Sequence, residues 1–194
     1  MISHDLKCIF IHPNRNGGKS IELAIWGVNP SIGSADHRRI YDWQRKLGEK
    51  VFQSYFKFVF CRNPWDRMVS LYSYYKQVSR KGRKGICLSD LKSFGTFVRA
   101  INPYDSCSPV PIQISWIKGM DGKPCIDFIG RMENYEEDWL FICKKLGINR
   151  CLPHINKSRH DDYWKYYDRY LGKRVGELYK EDIEFFGYSF GGVK

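Results

Sequence analysis

The apolar residues of this chain fall into short, nearly continuous runs that alternate with longer stretches of helical spacing. Residues 7–12 and 56–61 are such runs, as expected for strands buried on both faces of a sheet. Each run leads into a segment whose apolar positions recur every three or four residues. The pattern predicts, in order, strand 7–12, helix 18–28, helix 37–50, strand 56–61, helix 63–79, helix 89–100, a short helix 112–118, strand 125–130, helix 133–147 and helices over 161–186.

This alternation of strands and helices predicts an α/β fold with a central parallel sheet and helices on both faces. The chain has 194 residues, with no internal repeat and no linker-like segment. We therefore expect one domain over residues 1–194. In folds of this kind, ligands bind outside the carboxyl ends of the parallel strands.

The first of these strand ends carries a loop suited to an anion. Residues 10–20 read FIHPNRNGGKS. Gly17 and Gly18 allow a tight turn with inward-pointing N–H groups, and the helix that follows adds its partial positive charge. Three further groups suit a phosphate or a sulfate: Arg15, Lys19 and the hydroxyl of Ser20. A glycine-rich turn with incidental basic residues is the alternative reading.

The GGKS ending resembles a Walker A loop, GxxxxGK[ST], and indicates a P-loop-like domain. However, Pro13 stands where the first glycine of that loop belongs. A Walker NTPase also needs a carboxylate after a neighbouring strand to hold Mg²⁺, whereas the strand 56–61 is followed by Arg62. The sequence therefore predicts no metal site.

The second strand end starts a helix and carries another candidate for an anion contact. Asn63 is a favourable N-cap, and Pro64 falls at the first helical position. Arg62 could bind a phosphate through two hydrogen bonds, and Ser70 could donate another. An ordinary surface pair between Arg62 and Asp66 is the alternative. The two strand ends together suggest a site for a nucleotide with phosphates at its 5′ and 3′ positions.

The residues of both segments resemble PAPS-dependent sulfotransferases of the carbohydrate sulfotransferase type, where PAPS is 3′-phosphoadenosine 5′-phosphosulfate. In that family, a loop similar to IPKTAGTS binds the 5′-phosphosulfate and a segment R[ND]PxxRxxSxY binds the 3′-phosphate. The second motif is complete here, as Arg62, Asn63, Pro64, Arg67, Ser70 and Tyr72. The resemblance extends to four further segments, residues 37–58, 127–139, 152–168 and 182–190.

The resemblance implies that PAPS is the co-substrate, that no metal is needed, and that the acceptor is a hydroxyl, most likely on a carbohydrate. It also implies a set of nucleotide-binding residues: Arg15, Asn16, Gly17, Gly18, Lys19, Ser20, Arg62, Ser70, Asn156 and Ser158. The first motif departs from the family pattern, since the family lysine falls on Arg15. An arginine supplies charge but is a poor proton donor, so Lys19 is a second candidate for stabilising the leaving phosphate.

The reaction also needs a base to take the proton of the acceptor. His37 is the first choice, because related members use a histidine or a glutamate in this region. A surface histidine at a helix start is the alternative reading. Lesser candidates are Glu22 and His154, while His12 is expected to pack beneath the loop.

Charge and cysteine content agree with this interpretation. Lysine and arginine number 32 against 21 acidic residues, a net charge of +11 that favours an anionic partner. No nucleic acid partner is expected. Seven cysteines without CxxC spacing indicate a reducing compartment, and no apolar run is long enough for a membrane span. We therefore expect a soluble, cytoplasmic protein, with a trimmed lumenal domain as the other possibility.

Two other functions compete with sulfuryl transfer. A P-loop kinase or nucleotide hydrolase would need Mg²⁺ and would prefer ATP to nucleotides with a 3′-phosphate. A noncatalytic basic module for polyanions would bind with a steep salt dependence and no preference for a 3′-phosphate.

Overall fold

The computed structural model describes residues 1–27, 37–79, 92–105, 108–153, 155 and 160–193. The chain divides into two compact units. The first contains Met1–Arg62 and Gln113–Asn156, and the second contains Asn63–Ile112 and Lys157–Lys194. The single domain expected from the sequence stays a prediction.

Eight α-helices are found in the described part of the chain. In chain order they are α1 (Gly18–Trp26), α2 (Ile40–Leu47), α3 (Glu49–Gln53), α4 (Pro64–Ser79), α5 (Phe94–Ala100), α6 (Tyr135–Leu146), α7 (Arg169–Leu178) and α8 (Lys180–Phe186). Short 3₁₀ turns occupy Gln113–Trp116, Met132–Asn134 and Tyr163–Tyr166. None of the helices in the described ranges is long and apolar enough to cross a membrane.

The first unit is built on a four-stranded sheet. Its strands lie in the order β1 (Ile2–Ser3), β2 (Cys8–Ile11), β3 (Phe56–Cys61) and β4 (Phe128–Arg131). β2, β3 and β4 are parallel, whereas β1 is antiparallel to β2. The predicted α/β class is therefore confirmed, and the sheet is mixed because of β1, whose two residues are too few to show a strand pattern in the sequence.

The core of the first unit lies between this sheet and helices α1 and α6. Its buried members are Cys8, Phe10, Ile21, Ala24, Ile25, Phe58, Phe60, Trp139, Ile142 and Cys143. The rings of Phe10 and Phe58, on the neighbouring strands β2 and β3, stack with their centroids 5.1 Å apart. Burying each large apolar side chain contributes about 1.5–3 kcal/mol, so this cluster fixes α1 and the loop before it against the sheet.

The thiols in the strands behave as small apolar groups. Cys8 and Cys61 are fully buried. Burial raises the pKa of the Cys8 thiol to about 11, so this group stays protonated at neutral pH.

The predicted helix 37–50 is the main local error of the sequence analysis. The structure has two helices, α2 and α3, separated by Gly48. The backbone of Gly48 adopts φ 73° and ψ 156°, a conformation that only glycine adopts readily and that interrupts a helix. The glycine in the sequence was the signal for this break.

The second unit is mainly helical. Helix α4 begins at Pro64 after Asn63, as predicted, and the Asn63 side chain accepts a hydrogen bond from the Trp65 N–H at 3.1 Å. The Trp65 indole donates to the Gly172 carbonyl of α7 at 2.9 Å. A small hairpin of β5 (Tyr188–Ser189) and β6 (Gly192–Val193) ends the described chain. Its strands have two residues each and leave no sequence pattern.

Candidate active site

The two basic segments predicted from the sequence meet at one edge of the sheet in the first unit. β2 and β3 pair in parallel up to the position where Ile11 faces Val59. The loop of residues 13–18 is here called the donor loop, after the N–H donors of its turn. This loop and Arg62 therefore follow neighbouring strands at the same edge. The Arg62 guanidinium donates to the Arg15 carbonyl oxygen at 3.3 Å, which shows that the two segments are in direct contact.

The donor loop has a backbone conformation suited to an anion. Arg15 and Gly17 both have left-handed φ angles, 69° and 72°, before α1 begins at Gly18. Turns with such residues direct backbone N–H groups into a concavity, and a helix N-terminus adds partial positive charge. The first turn of α1 contains no acidic residue to neutralise that charge.

Close packing explains why glycines occupy positions 17 and 18. A Cβ atom at Gly17 would lie 2.7 Å from the Tyr135 hydroxyl oxygen, and one at Gly18 would lie 1.9 Å from the His12 ring. Neither position accommodates a side chain without movement of its neighbours. The two glycines in the sequence predict the turn, whereas their contacts with Tyr135 and His12 arise only in the folded chain.

Gln113 joins the donor loop to the end of β3, a role that no sequence pattern indicated. Its side-chain oxygen accepts hydrogen bonds from the Asn16 amide at 2.7 Å and from the Arg62 backbone N–H at 3.0 Å. Its side-chain nitrogen donates to the Arg62 carbonyl oxygen at 2.9 Å. Asn16 also donates to the Phe60 carbonyl oxygen at 2.7 Å. Gln113 and Asn16 are both only 1% exposed, so this network is sheltered from water.

His12 lies beneath the donor loop, as the sequence predicts. Its Nδ1 is 2.7 Å from the Glu22 carboxylate, and both side chains are buried. Burial lowers the pKa of His12, and Glu22 opposes this effect only in part. The ring is therefore neutral at pH 7, with Nδ1–H donating to Glu22. Glu22 is thus engaged in supporting His12, which argues against the general-base role considered for it.

His37 is held in one tautomer by the backbone. Its Nδ1 lies 2.9 Å from the His12 carbonyl oxygen, which can only accept, so Nδ1 carries the proton. In the neutral ring, Nε2 is then the proton acceptor. The side chain is exposed, and its ring centroid lies 4.8 Å from that of His12. This arrangement is what a base near the donor loop requires.

Tyr135 is a second residue that the sequence analysis missed. It begins α6, and its hydroxyl donates to the Gly17 carbonyl oxygen at 2.7 Å. Burial raises the pKa of this phenol well above its usual range, so it stays protonated as a donor. Beside it, the buried Ser20 hydroxyl accepts a hydrogen bond from the Ile155 N–H at 3.2 Å. The floor of the loop is therefore fixed by side chains from α1 and α6.

Four cationic residues lie at this edge of the sheet. Arg15 and Lys19 belong to the donor loop and the first turn of α1, and both are partly exposed. Arg62 follows β3, and Arg131 ends β4 opposite Cys61. Cations at the ends of three adjacent strands favour a ligand with several negative charges. The described residues contain no group of histidine, cysteine, aspartate or glutamate side chains arranged to hold a metal ion.

The other predicted site residues belong to the second unit or lie outside the described residues. Ser70 lies on α4 in the second unit and is fully buried. The Arg67 guanidinium, also buried, donates to the Pro111 carbonyl oxygen of the same unit at 2.8 Å. Asn156, Ser158 and His154 lie outside the described residues.

The comparison with protein families agrees with the geometry. The sequence model of the Sulfotransferase family matches residues 29–189, and the chain therefore belongs to this family. The match contains the segment from Arg62 to Tyr72 but begins after the donor loop. The identification of that loop depends on its own residues and conformation.

Two relatives are informative. Carbohydrate sulfotransferase 9 of Homo sapiens is 32% identical in an alignment 153 residues long, which covers 67% of this chain and 33% of the human protein. An uncharacterized protein of Archaeoglobus fulgidus is 34% identical over 123 residues, 63% of this chain and 93% of the archaeal one. No solved structure matches the chain significantly. The family and the human relative support the transfer of sulfate as the activity.

Proposed function

We propose that this protein transfers a sulfuryl group from PAPS to an acceptor hydroxyl, with a carbohydrate as the acceptor. The contact between the donor loop and Arg62 is the observation that supports the proposal best. It brings two cationic segments together, as a nucleotide with charged groups at both its 5′ and 3′ positions requires. The carbohydrate acceptor is proposed from the human relative, a carbohydrate sulfotransferase.

In this proposal, the donor loop binds the 5′-phosphosulfate and Arg62 binds the 3′-phosphate. The partial charges of the α1 N-terminus and the side chains of Arg15 and Lys19 stabilise the phosphate that leaves. The roles predicted for Ser70, Asn156 and Ser158 in nucleotide binding remain predictions.

The proposed chemical step is an in-line displacement at sulfur. The acceptor oxygen forms a bond to sulfur while the bond between sulfur and the bridging oxygen of PAPS breaks. The electron pair of the broken bond stays on the leaving phosphate, and the acceptor proton passes to Nε2 of His37. The hydrogen bond from Nδ1 to the His12 carbonyl keeps Nε2 ready for that proton.

A comparison of nucleotides tests this function against its competitors. Adenosine 3′,5′-bisphosphate should raise the melting temperature of the protein more than ADP with Mg²⁺ at the same concentration, since a ligand stabilises the native state according to its affinity. A kinase or hydrolase would show the opposite order. A polyanion-binding module would show no preference for a 3′-phosphate, and its affinity for both ligands would fall steeply as the salt concentration is raised.

A second comparison assigns the group that assists the leaving phosphate. Arg15→Lys restores the residue found at this place in the family pattern, and Lys19→Ala removes the alternative cation. Single-turnover rates with bound PAPS should fall in Lys19→Ala if Lys19 stabilises the developing charge. If Arg15 does so instead, Lys19→Ala should keep its rate, and Arg15→Lys, which exchanges a guanidinium for an amine able to donate a proton, should change it. Equal rates in all three proteins would remove Lys19 from this role.

A further inference from the structure

We propose that Gln113 fixes the spacing between the donor loop and Arg62, and thereby makes the site selective for a nucleotide with phosphates at both the 3′ and the 5′ position. This inference rests on the proposed function. Gln113 would act as a positioning residue, because its side chain is bonded to protein groups on both sides of the site.

The hydrogen bonds determine which end of the Gln113 amide faces which partner. The Arg62 backbone N–H can only donate and the Arg62 carbonyl can only accept, so the Gln113 oxygen must face the former and its nitrogen the latter. The Gln113 oxygen then requires a donor from Asn16, which is the Asn16 nitrogen at 2.7 Å. The same Asn16 nitrogen reaches the Phe60 carbonyl at 2.7 Å. Reversing either amide would therefore set like groups against each other.

The Gln113 side chain takes the place of a neighbouring strand where the sheet pairing ends. The pairing of β2 with β3 reaches Ile11 and Val59 and does not extend to Arg62. Through its two bonds to the Arg62 backbone, Gln113 pairs with Arg62 as another peptide group would. The Gln113 oxygen that accepts from the Arg62 N–H also accepts a hydrogen bond from the Asn16 amide, which belongs to the donor loop. The positions of the donor loop and of the Arg62 backbone are thus set by one buried side chain.

A fixed spacing favours a ligand that contacts both ends. A bisphosphate gains from both cationic segments only if they are held at the distance between its two phosphates, and any freedom between them must be lost on binding. A 5′-monophosphate contacts the donor loop alone, so freedom between the two segments has little effect on its affinity. Loosening the network should therefore weaken binding of the bisphosphate more than binding of the monophosphate.

The test compares the dissociation constants of 5′-AMP and adenosine 3′,5′-bisphosphate by calorimetry. Their ratio is the selectivity for the 3′-phosphate. Gln113→Glu keeps the size of the side chain and an acceptor for Asn16 and the Arg62 N–H, but it places an oxygen against the Arg62 carbonyl. We expect selectivity to fall about fivefold to tenfold in this variant, since one buried hydrogen bond is replaced by a repulsive contact. Gln113→Ala should lower it at least as much.

Gln53→Ala is the matched control. Gln53 is an exposed glutamine at the end of α3. Its amide donates a hydrogen bond to the Glu49 carboxylate, away from the donor loop and Arg62 in the chain. Selectivity in this variant should equal that of the wild type. Thermal denaturation of each variant without ligand shows whether the fold is retained.

The outcomes separate this inference from the function on which it rests. If the wild type shows no preference for the bisphosphate, the proposed function itself fails. If the wild type is selective but the Gln113 variants lose affinity for both nucleotides equally, or for neither, Gln113 has no positioning role and the inference is wrong. Should both Gln113 variants fail to fold, hydrogen exchange of the wild type decides: the Arg62 amide should exchange more slowly with saturating bisphosphate than with saturating 5′-AMP, and equal protection would overturn the proposal.

Discussion

Replacing Gly18 by alanine tests how tightly the donor loop is packed on His12. The new Cβ atom would lie 1.9 Å from Cδ2 and 2.0 Å from Nε2 of the His12 ring. Carbon atoms that are not covalently bonded do not approach to such distances, so the ring must move away by more than an ångström. The ring is buried, and its hydrogen bond to Glu22 opposes that movement.

The expected cost follows from overpacking of a buried site. Inserting a methyl group into a well-packed region costs typically about 1–3 kcal/mol. A loss of about 2 kcal/mol should lower the melting temperature of a chain of this size by about 4–8 °C. The displaced ring also disturbs the helix start that is proposed to bind the phosphosulfate, so affinity for adenosine 3′,5′-bisphosphate should fall as well.

Gly172→Ala is a matched control for the helical environment. Gly172 lies within α7, and a Cβ atom there would meet only Phe190 at 3.8 Å, an ordinary contact. Alanine should stabilise this helix by about 0.5–1 kcal/mol, because glycine is unfavourable in helix interiors. Differential scanning calorimetry of both variants should give changes of opposite sign.

Combining Gly18→Ala with His12→Ala provides the decisive comparison. With the imidazole removed, the added methyl group has room, so Gly18→Ala should cost little in the His12→Ala background. An equal cost in both backgrounds would show that the His12 contact does not limit position 18, and the packing argument would be refuted.

Three further predictions concern charge and chemistry. Because the pKa of His12 in the folded protein lies below the ordinary 6.5, the unfolded chain binds the extra proton first, and stability should fall as pH drops below about 6.5, with a slope of at most about 1.4 kcal/mol per pH unit. Urea titrations at several pH values should show this slope, beyond the effects of other groups, in the wild type but not in His12→Gln. Arg62→Ala should weaken binding of adenosine 3′,5′-bisphosphate more than tenfold, whereas Arg45→Ala on the surface of α2 should not; equal affinities would remove Arg62 from the site. His37→Ala should lower single-turnover release of the bisphosphate from PAPS by about a hundredfold or more, with nucleotide affinity almost unchanged, and full activity would assign the base elsewhere.

The sequence predicted the parts of the site whose signals are local. The apolar runs identified β2 and β3, and a parallel sheet places their ends at one edge, so the proximity of the donor loop and Arg62 could be expected. Asn63 and Pro64 marked the start of α4 because capping preferences act within a few residues. The glycines of the loop were recognised for the same reason.

The remaining parts depend on contacts between residues far apart in the chain. Gln113 lies 97 positions from Asn16 and 51 from Arg62, and nothing in its neighbouring sequence indicates these partners. Tyr135 contacts Gly17 across 118 positions. Gln113 begins a 3₁₀ turn and Tyr135 begins α6, and neither local pattern singles out the residue. Only the arrangement of the strands brings them to the loop.

The pairing of Gln113 with Arg62 also bears on how this fold can diversify. The chain leaves the first unit after Arg62 and returns to it at Gln113, and these two residues are hydrogen-bonded to each other. Residues 63–112 thus form an excursion of the chain whose two ends are held together by these hydrogen bonds. The free energy of such a closed excursion changes only slowly with its length. Changes in chain length between residues 73 and 112, beyond the segment that matches the family motif, can therefore accumulate during evolution while the strand ends that carry the donor loop and Arg62 keep their arrangement.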